Sequence, residues 1–366
     1  MFTIKSVKAI AIKIPFDDFY EGPRSVPRGW TDLETVLVRV ESADGTIGWG
    51  ESFAYGCASA VHAAVTDMVA PLVVDRTVED IPALNRELQR RLHIQGRYGI
   101  TIFAISGLDI ALWDLAAKLA GKSLAKLLGG ARWETLPAYA SLVRYGNPQA
   151  VKECTARAVA DGFTAVKLHE IEYDCIAAGR NAAGPSVELM TDVNCAWSET
   201  QAETMIEQLR DLDLTWIEEP VFPPDDYEAL QRLSWLGVSL AAGENACTST
   251  EFKRLFPVVD FPQPSVTKAG GVSEFVAIAG LASAAGKTAM PHSPYFGPGY
   301  WATLHLAACL PDVGLVEFLY ARPEAWIGYD MPLPRKGQIA IPKGPGLGFE
   351  PDHSVLDRYR IPRENR

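Results

Sequence analysis

The sequence predicts an α/β protein: a (β/α) barrel preceded by an α+β segment of its own. Three observations predict it. From Leu136 onward, short apolar runs alternate with helical stretches. Before that point strands come first and helices follow, without alternation. Asp192, Glu218 and Glu244 each end an apolar run and stand twenty-six residues apart, the length of one strand, one helix and two loops.

Residues 1–55 read as strands. The run 35–40 (TVLVRV) is β-branched and apolar, Asp44-Gly45 is a hairpin turn, and 47–51 (IGWGE) resumes the extended chain. The stretch 16–32 is too long for a tight turn, and loops of that length carry function or are disordered. Residues 58–129 read as helical, most clearly 103–119, where Ile105, Leu108, Ala111, Leu112, Leu115 and Leu119 recur at helical spacing. Barrel strands are expected at 136–143, 165–168, 189–192, 216–218, 240–242, 258–261, 288–290 and 315–318. Helices are expected at 148–161, 199–212, 227–236, 249–256, 272–285 and 300–309. Seven or eight such repeats describe a barrel, whose active site lies at the C-terminal ends of its strands.

Composition narrows the function. With 366 residues the chain suits two domains, and its 48% hydrophobic and 22% charged residues are ordinary for an enzyme with a large core. A net charge of −11 argues against a nucleic-acid partner and against an anionic membrane surface. The six cysteines form no CxxC pair or zinc spacing, so free thiols in a reducing, cytoplasmic compartment are expected. Neither a signal-peptide core nor a stretch long enough to span a membrane is expected.

Three carboxylates delivered to one rim by successive strands form an oxygen-only site, which favours Mg²⁺ over zinc. A single acidic residue at a strand end is usually a solvated loop residue; three on consecutive repeats are harder to dismiss. Lys167 and His169, two residues apart on the preceding strand, face the same side of the sheet. If that side is the interior, both point at the metal. A lysine near a divalent cation loses its proton more readily and can serve as a base, although it can equally pair with Asp192. His292 and Glu317 end later strands. Asp109 and Asp114 lie five apart on the long helix, off one common face, so structural hydrogen bonds suit them better than metal binding. Met190 and Met290 read as core.

At these residues the chain resembles the enolase superfamily, and within it the mandelate racemase-like subgroup. The helix run GLDIALWDLAAK (107–118), the motifs DVN (192–194), WIEEP (216–220) and GEN (243–245), and KAGG (268–271) carry the resemblance, which covers nearly the whole chain. It implies a modified TIM barrel, (β/α)7β, at 131–324 under an N-terminal α+β capping domain at 1–130, with the tail from 325 to 366 packing back on the cap. It implies one Mg²⁺ per subunit held by Asp192, Glu218 and Glu244, with Asn194, Glu219, Asn245, Ser265 and Lys268 in support. Lys167, His169, His292 and Glu317 take the acid/base positions. Tyr20, Arg24, Arg28, Trp30 and Tyr55, on capping-domain loops, are the substrate-contact candidates. The resemblance also implies a small carboxylate substrate and a homo-oligomer, dimer or octamer.

The chemistry expected is abstraction of the proton α to a carboxylate, through an enediolate that must be neutralised as it forms. Two positions depart from the subgroup's pattern. His169 stands where a second lysine is familiar, and Ser265 stands where an aspartate normally pairs with the histidine. Matched bases on both faces, as a racemase needs, fit this less well than dehydration of a sugar acid or related α-hydroxy acid. A racemase, epimerase or lactone cycloisomerase is the alternative. A ligand-binding or structural barrel is the alternative from another class.

Overall fold

The computed structural model describes residues 1–22 and 29–362. Long β-branched runs open the chain: β1 (Phe2–Asp17), β2 (Asp32–Ser42) and β3 (Ile47–Phe53) form an antiparallel sheet. The short β4 (Thr77–Val78) pairs with the start of β1. Helices α1 (Ala58–Ala63), α2 (Ile81–Arg91), α3 (Ile100–Leu119) and α4 (Leu124–Leu127) follow. The axis of this unit is α3. It is apolar on nearly all sides and long enough to cross a membrane, but most of it is buried within the protein, as a helix hydrophobic all round should be. Gly50 lets α3 lie against β3: a Cβ there would collide with the Gly107 carbonyl and stand 2.7 Å from the Ala111 nitrogen.

The alternating half supplies parallel strands β5 (Thr135–Ser141), β6 (Ala165–Leu168), β7 (Glu188–Asp192), β8 (Leu214–Glu218), β9 (Leu240–Ala242) and β10 (Phe261–Pro262) in sequential order. β11 (Val316–Leu319) pairs back onto β5. Residues 288–290, expected as a strand, appear as a single bridge, Ala289 to Val313, with Met290 N donating to Pro262 O. Pro291 and Pro294 leave few amide donors for a longer ladder there. Around the strands run α5 (Pro148–Ala160), α6 (Tyr173–Ala183), α7 (Glu199–Leu209), α8 (Tyr227–Ser234), α9 (Thr248–Leu255), α10 (Gly271–Ala284) and α11 (Pro298–Cys309). Among the described residues no helix of this ring follows β11. Instead β12 (Arg322–Pro323) joins β1, β13 (Gln338–Ala340) joins the outer end of β5, and α12 (His353–Tyr359) leads Ile361 N to the carbonyl of Ala11.

Two layers fill the barrel. Tyr139, Ala165, Met190, Trp216, Ala241 and Met290 form a buried plug. Two residues further along the same strands stand Ser141, Lys167, Asp192 and Glu218, all buried. Strand side chains repeat every second residue, so the charged layer sits directly above the apolar one. Burying each large plug side chain stabilises the fold by roughly 1.5–3 kcal/mol.

The two units are joined by hydrogen bonds to buried carboxylates. Asp109 accepts from Ser273 N (2.9 Å), Ser273 Oγ (2.6 Å) and Asn85 Nδ2 (2.7 Å). Asp114 accepts from Trp49 N and Leu347 N. Glu51 accepts from Thr35 Oγ1 (2.7 Å) and from Gly299 N (2.9 Å) near the start of α11. Both Asp109 and Asp114 are thus structural acceptors.

Candidate active site

The regular interval of the acidic residues becomes alignment in the sheet. Asp192 and Glu218 are direct partners across the β7–β8 ladder, and Glu218 pairs with Ala241 of β9, three residues before Glu244. Just past the strands the chain turns sharply: Asn194, Cys195 and Glu219 all have positive φ (47°, 58° and 45°), a backbone state that costs of order 1–3 kcal/mol for a non-glycine residue.

Lys167 lies among the carboxylates. Its Nζ is 2.8 Å from Glu218 Oε1, 3.0 Å from Glu317 Oε1 and 3.6 Å from Asp192 Oδ2. Burial alone would strip its proton, but Glu218 and Glu317 outweigh that and hold the ammonium well above its ordinary range. Burial also works against Asp192, yet Lys167 and His169 overcome it and keep that carboxyl below its ordinary value.

His169 Nδ1 donates to the Leu142 carbonyl at 2.5 Å, which leaves Nε2 as the working atom, 3.3 Å from Asp192 Oδ2. On the other side of the row, His292 Nε2 is 2.7 Å from Glu244 Oε2, and Lys268 Nζ stands 4.0 Å from the same oxygen. Burial opposes ionisation of Glu244, but Lys268 and His292 drive it well below the usual carboxylate range. Glu317 is held by Ser141 Oγ (2.6 Å) and Ser293 N (2.8 Å). Glu219 accepts from Gly243 N, and burial raises it to about 7. The structure therefore brings all the acid/base and carboxylate candidates together, with basic groups on two sides of the carboxylate row.

Several expectations need correction. The Ser265 hydroxyl is spent on Tyr295 OH (2.9 Å) and Thr267 Oγ1 (3.3 Å), not on the imidazole, and His292 Nδ1 is buried without a hydrogen-bond partner. Tyr295 takes over the positioning through the backbone: its OH donates to the His292 carbonyl at 2.6 Å, and the two rings pack edge to face at 6.4 Å. Tyr20 lies apart from the cavity. Its ring turns into the core beside Tyr145, 8% exposed, and it does not line the cavity. Trp30 and Tyr55 do line it; Arg24 and Arg28 lie outside the described residues.

Sequence reasoning passed over four residues. Trp216 Nε1 (3.0 Å) and Gln263 Nε2 (2.6 Å) both donate to Glu218 Oε2. Ser141 holds Glu317, and Arg144 donates to Asn194 Oδ1 and to the carbonyls of Val193 and His169. Period-two spacing from Glu218 points to Trp216, and the ends of the first and sixth barrel strands point to Ser141 and Gln263.

The donor set suits a hard cation. Asp192, Glu218 and Glu244 offer only oxygen, and Asp192 Oδ2 is buried with no hydrogen bond. Among the described residues no three acidic, imidazole or thiol side chains are gathered into a ready ligand shell; the carboxylates are drawn to Lys167 and the histidines instead.

Comparison with known proteins agrees with this geometry. The model of the mandelate racemase / muconate lactonizing enzyme N-terminal domain matches residues 29–129, and that of the enolase C-terminal domain-like fold matches 149–355. An arabinonate dehydratase from Saccharolobus solfataricus is 30% identical over 346 residues, covering 90% of this chain and 91% of that protein. A D-galactarolactone cycloisomerase from Agrobacterium fabrum is 32% identical over 350 residues, covering 89% and 91%. The crystal structure of the 3,6-anhydro-D-galactonate cycloisomerase from Zobellia galactanivorans has a TM-score of 0.87 at 29% identity, covering 98% of this chain and 100% of that one. With both halves matched and the charged row in place at the strand ends, the chain belongs to the mandelate racemase / muconate lactonizing enzyme family of the enolase superfamily.

Proposed function

We propose that the protein removes the α-proton of a sugar acid or related α-hydroxy acid in a Mg²⁺-dependent dehydration. The observation that carries this reading is the placement of His169 and Lys167 on one side of the carboxylate row and of His292 on the other. Asp192, Glu218 and Glu244 would hold the ion, and when bound it supplies positive charge where the substrate carboxylate gains electrons. Lys167 is protonated while Glu218 and Glu317 face it; a cation held by Glu218 would weaken that hold and leave the amine freer to act as a base. His169 Nε2, its ring fixed through Nδ1, is the other proton acceptor on that side. From the opposite side His292 Nε2 delivers the proton with which the β-hydroxyl leaves as water. The enol that remains rearranges to a 2-keto-3-deoxy acid. Glu317, oriented by Ser141 and Ser293, stands on the enediolate side and would steady it as the protonated acid, by donating to the enediolate oxygen.

A lactone cycloisomerase is the second reading, favoured by the aromatic wall that Trp30, Phe53 and Tyr55 give the cavity beside the carboxylate row. The same α-proton leaves in both reactions, and product NMR separates them, because cycloisomerisation keeps the molecular formula. The proposal extends to a cytoplasmic homo-oligomer, and to cap and barrel domains dividing near residue 130. Incubation of candidate acids in D₂O with Mg²⁺ tests the chemistry. Deuterium is expected at C3 of the 2-keto-3-deoxy product, and at the α-carbon of substrate recovered after reversible proton loss, with the native chain and not with Glu218→Gln; full turnover by that variant would sink the reading.

A further inference from the structure

We propose that Arg144 is a positioning residue of the reaction: its guanidinium fixes the base-bearing end of β6 against the loop that follows Asp192, and so sets where His169 stands relative to the bound ion. The inference rests on the α-proton chemistry proposed above and adds to it a residue outside the carboxylate row.

Arg144 lies three residues past the end of β5, in a segment clasped to the end of β6. Leu142 N donates to the Lys167 carbonyl (2.9 Å), and the Leu142 carbonyl accepts from His169 Nδ1. Tyr145 N and Gly146 N donate to the buried Glu170 carboxylate, at 2.7 and 3.1 Å. The chain on either side of Arg144 is therefore held, and its side chain spans the rim. Nε donates to the His169 carbonyl at 2.5 Å. Nη2 donates to the Val193 carbonyl (3.2 Å) and to Asn194 Oδ1 (3.0 Å). One planar group thus ties the residue after β6 to the first two residues after β7.

Those acceptors connect to the reacting groups. His169 is held at its ring by Leu142 and at its carbonyl by Arg144, with Nε2 3.3 Å from Asp192 Oδ2. Asn194 N donates to Asp192 Oδ1 (2.8 Å), so the residue that Arg144 grips also orients the carboxylate proposed for the ion. The loop needs such a grip. Asn194 and Cys195 have φ of 47° and 58°, a strained state that persists only where the surroundings over-determine it. Cys195 N donates to the Glu219 carbonyl (2.8 Å), and Arg144 holds the two residues before it. His169 and Asn194 both line the cavity of about 420 Å³, so a shift in either moves a wall of the site. A lysine cannot take this place: the guanidinium is a rigid fork that reaches two segments at once, whereas an ammonium is a single point.

Arg144→Lys and Arg144→Met test this in the full chain. Calorimetry reads Mg²⁺ affinity without substrate. Exchange of the α-proton in D₂O at saturating Mg²⁺, with pentonates, hexonates and their lactones as probes, reads kcat and KM. Both variants are expected to bind Mg²⁺ about tenfold more weakly. Both are expected to lose about a hundredfold in kcat with KM changed less than about threefold, because misplacing a base by about 1 Å costs that much. The thermal midpoint is expected to stay within about 3 °C of the native value. A lysine variant with native Mg²⁺ affinity and kcat overturns the inference, since charge alone then suffices. So does a loss confined to one of the two readouts, or a larger fall in the thermal midpoint, which marks a merely structural role. Should Arg144→Met not fold, Arg144→Lys decides alone. If no acid exchanges with the native chain, the α-proton chemistry falls and calorimetry decides: a tenfold loss of Mg²⁺ affinity supports the grip on the Asp192 loop, and an unchanged affinity overturns it.

Discussion

Asp109 is a buried carboxyl in which two effects oppose each other with predictable consequences for Asp109→Asn. Burial raises it to about 7, while the donors on Ser273 and Asn85 pull it down. In the unfolded chain it titrates at its ordinary value of 3.8. Between those two values the folded protein keeps a proton that the unfolded chain releases. This group therefore makes stability fall as pH rises, by about 1.4 kcal/mol per unit well inside the window and less near its upper end. From pH 5 to pH 7 the loss is about 2 kcal/mol. The asparagine variant has no such titration. Its stability relative to the native chain should therefore improve by about 2 kcal/mol over that interval, on top of a constant offset for exchanging an acceptor for an amide. Glu51, also raised to about 7 by burial, titrates in both proteins and cancels in the difference. Urea unfolding of both proteins at pH 5, 6 and 7 gives the comparison. A stability difference flat to within about 0.5 kcal/mol would refute the reasoning and show that the donors keep Asp109 ionised throughout.

Gln263→Leu removes the 2.6 Å donor to Glu218 while leaving a side chain of similar size; Mg²⁺ affinity by calorimetry should fall about tenfold, and an unchanged affinity would deny Gln263 any part in orienting Glu218. Tyr295→Phe keeps the ring against His292 but deletes the hydrogen bond to its carbonyl. A loss of about ten- to a hundredfold in kcat with little change in KM is expected, whereas a change in KM alone would make Tyr295 only a wall of the cavity. Gly50→Ala drives a methyl group into the backbone of α3. It should cost about 3 kcal/mol, read as a thermal midpoint several degrees lower, and an unchanged midpoint would show that β3 and α3 can part without cost.

By itself the sequence determined the barrel, its order of repeats and the three carboxylates, because these depend on short-range regularity. A strand turns a side chain inward every second residue, and a repeat of fixed length returns the chain to the same rim. The same regularity explains Lys167 and His169, whose spacing placed them on one side before any contact was known. The family motifs then tied His292 and Glu317 to that rim. Only the tertiary structure decided what each polar atom touches. Ser265 was legible as a departure, but that its hydroxyl serves Tyr295, thirty residues on, depends on how the loop after His292 folds back. Tyr20 and Trp30 look alike as aromatics of one long loop, yet one turns into the core and the other into the cavity. The expected strand at 288–290 reduced to a single bridge, because its apolar residues resemble a strand while the prolines after it limit the ladder. Hydrogen-bond partners far apart in sequence leave no periodic trace; they are fixed when packed elements bring two surfaces together and every buried polar group must find what is within reach.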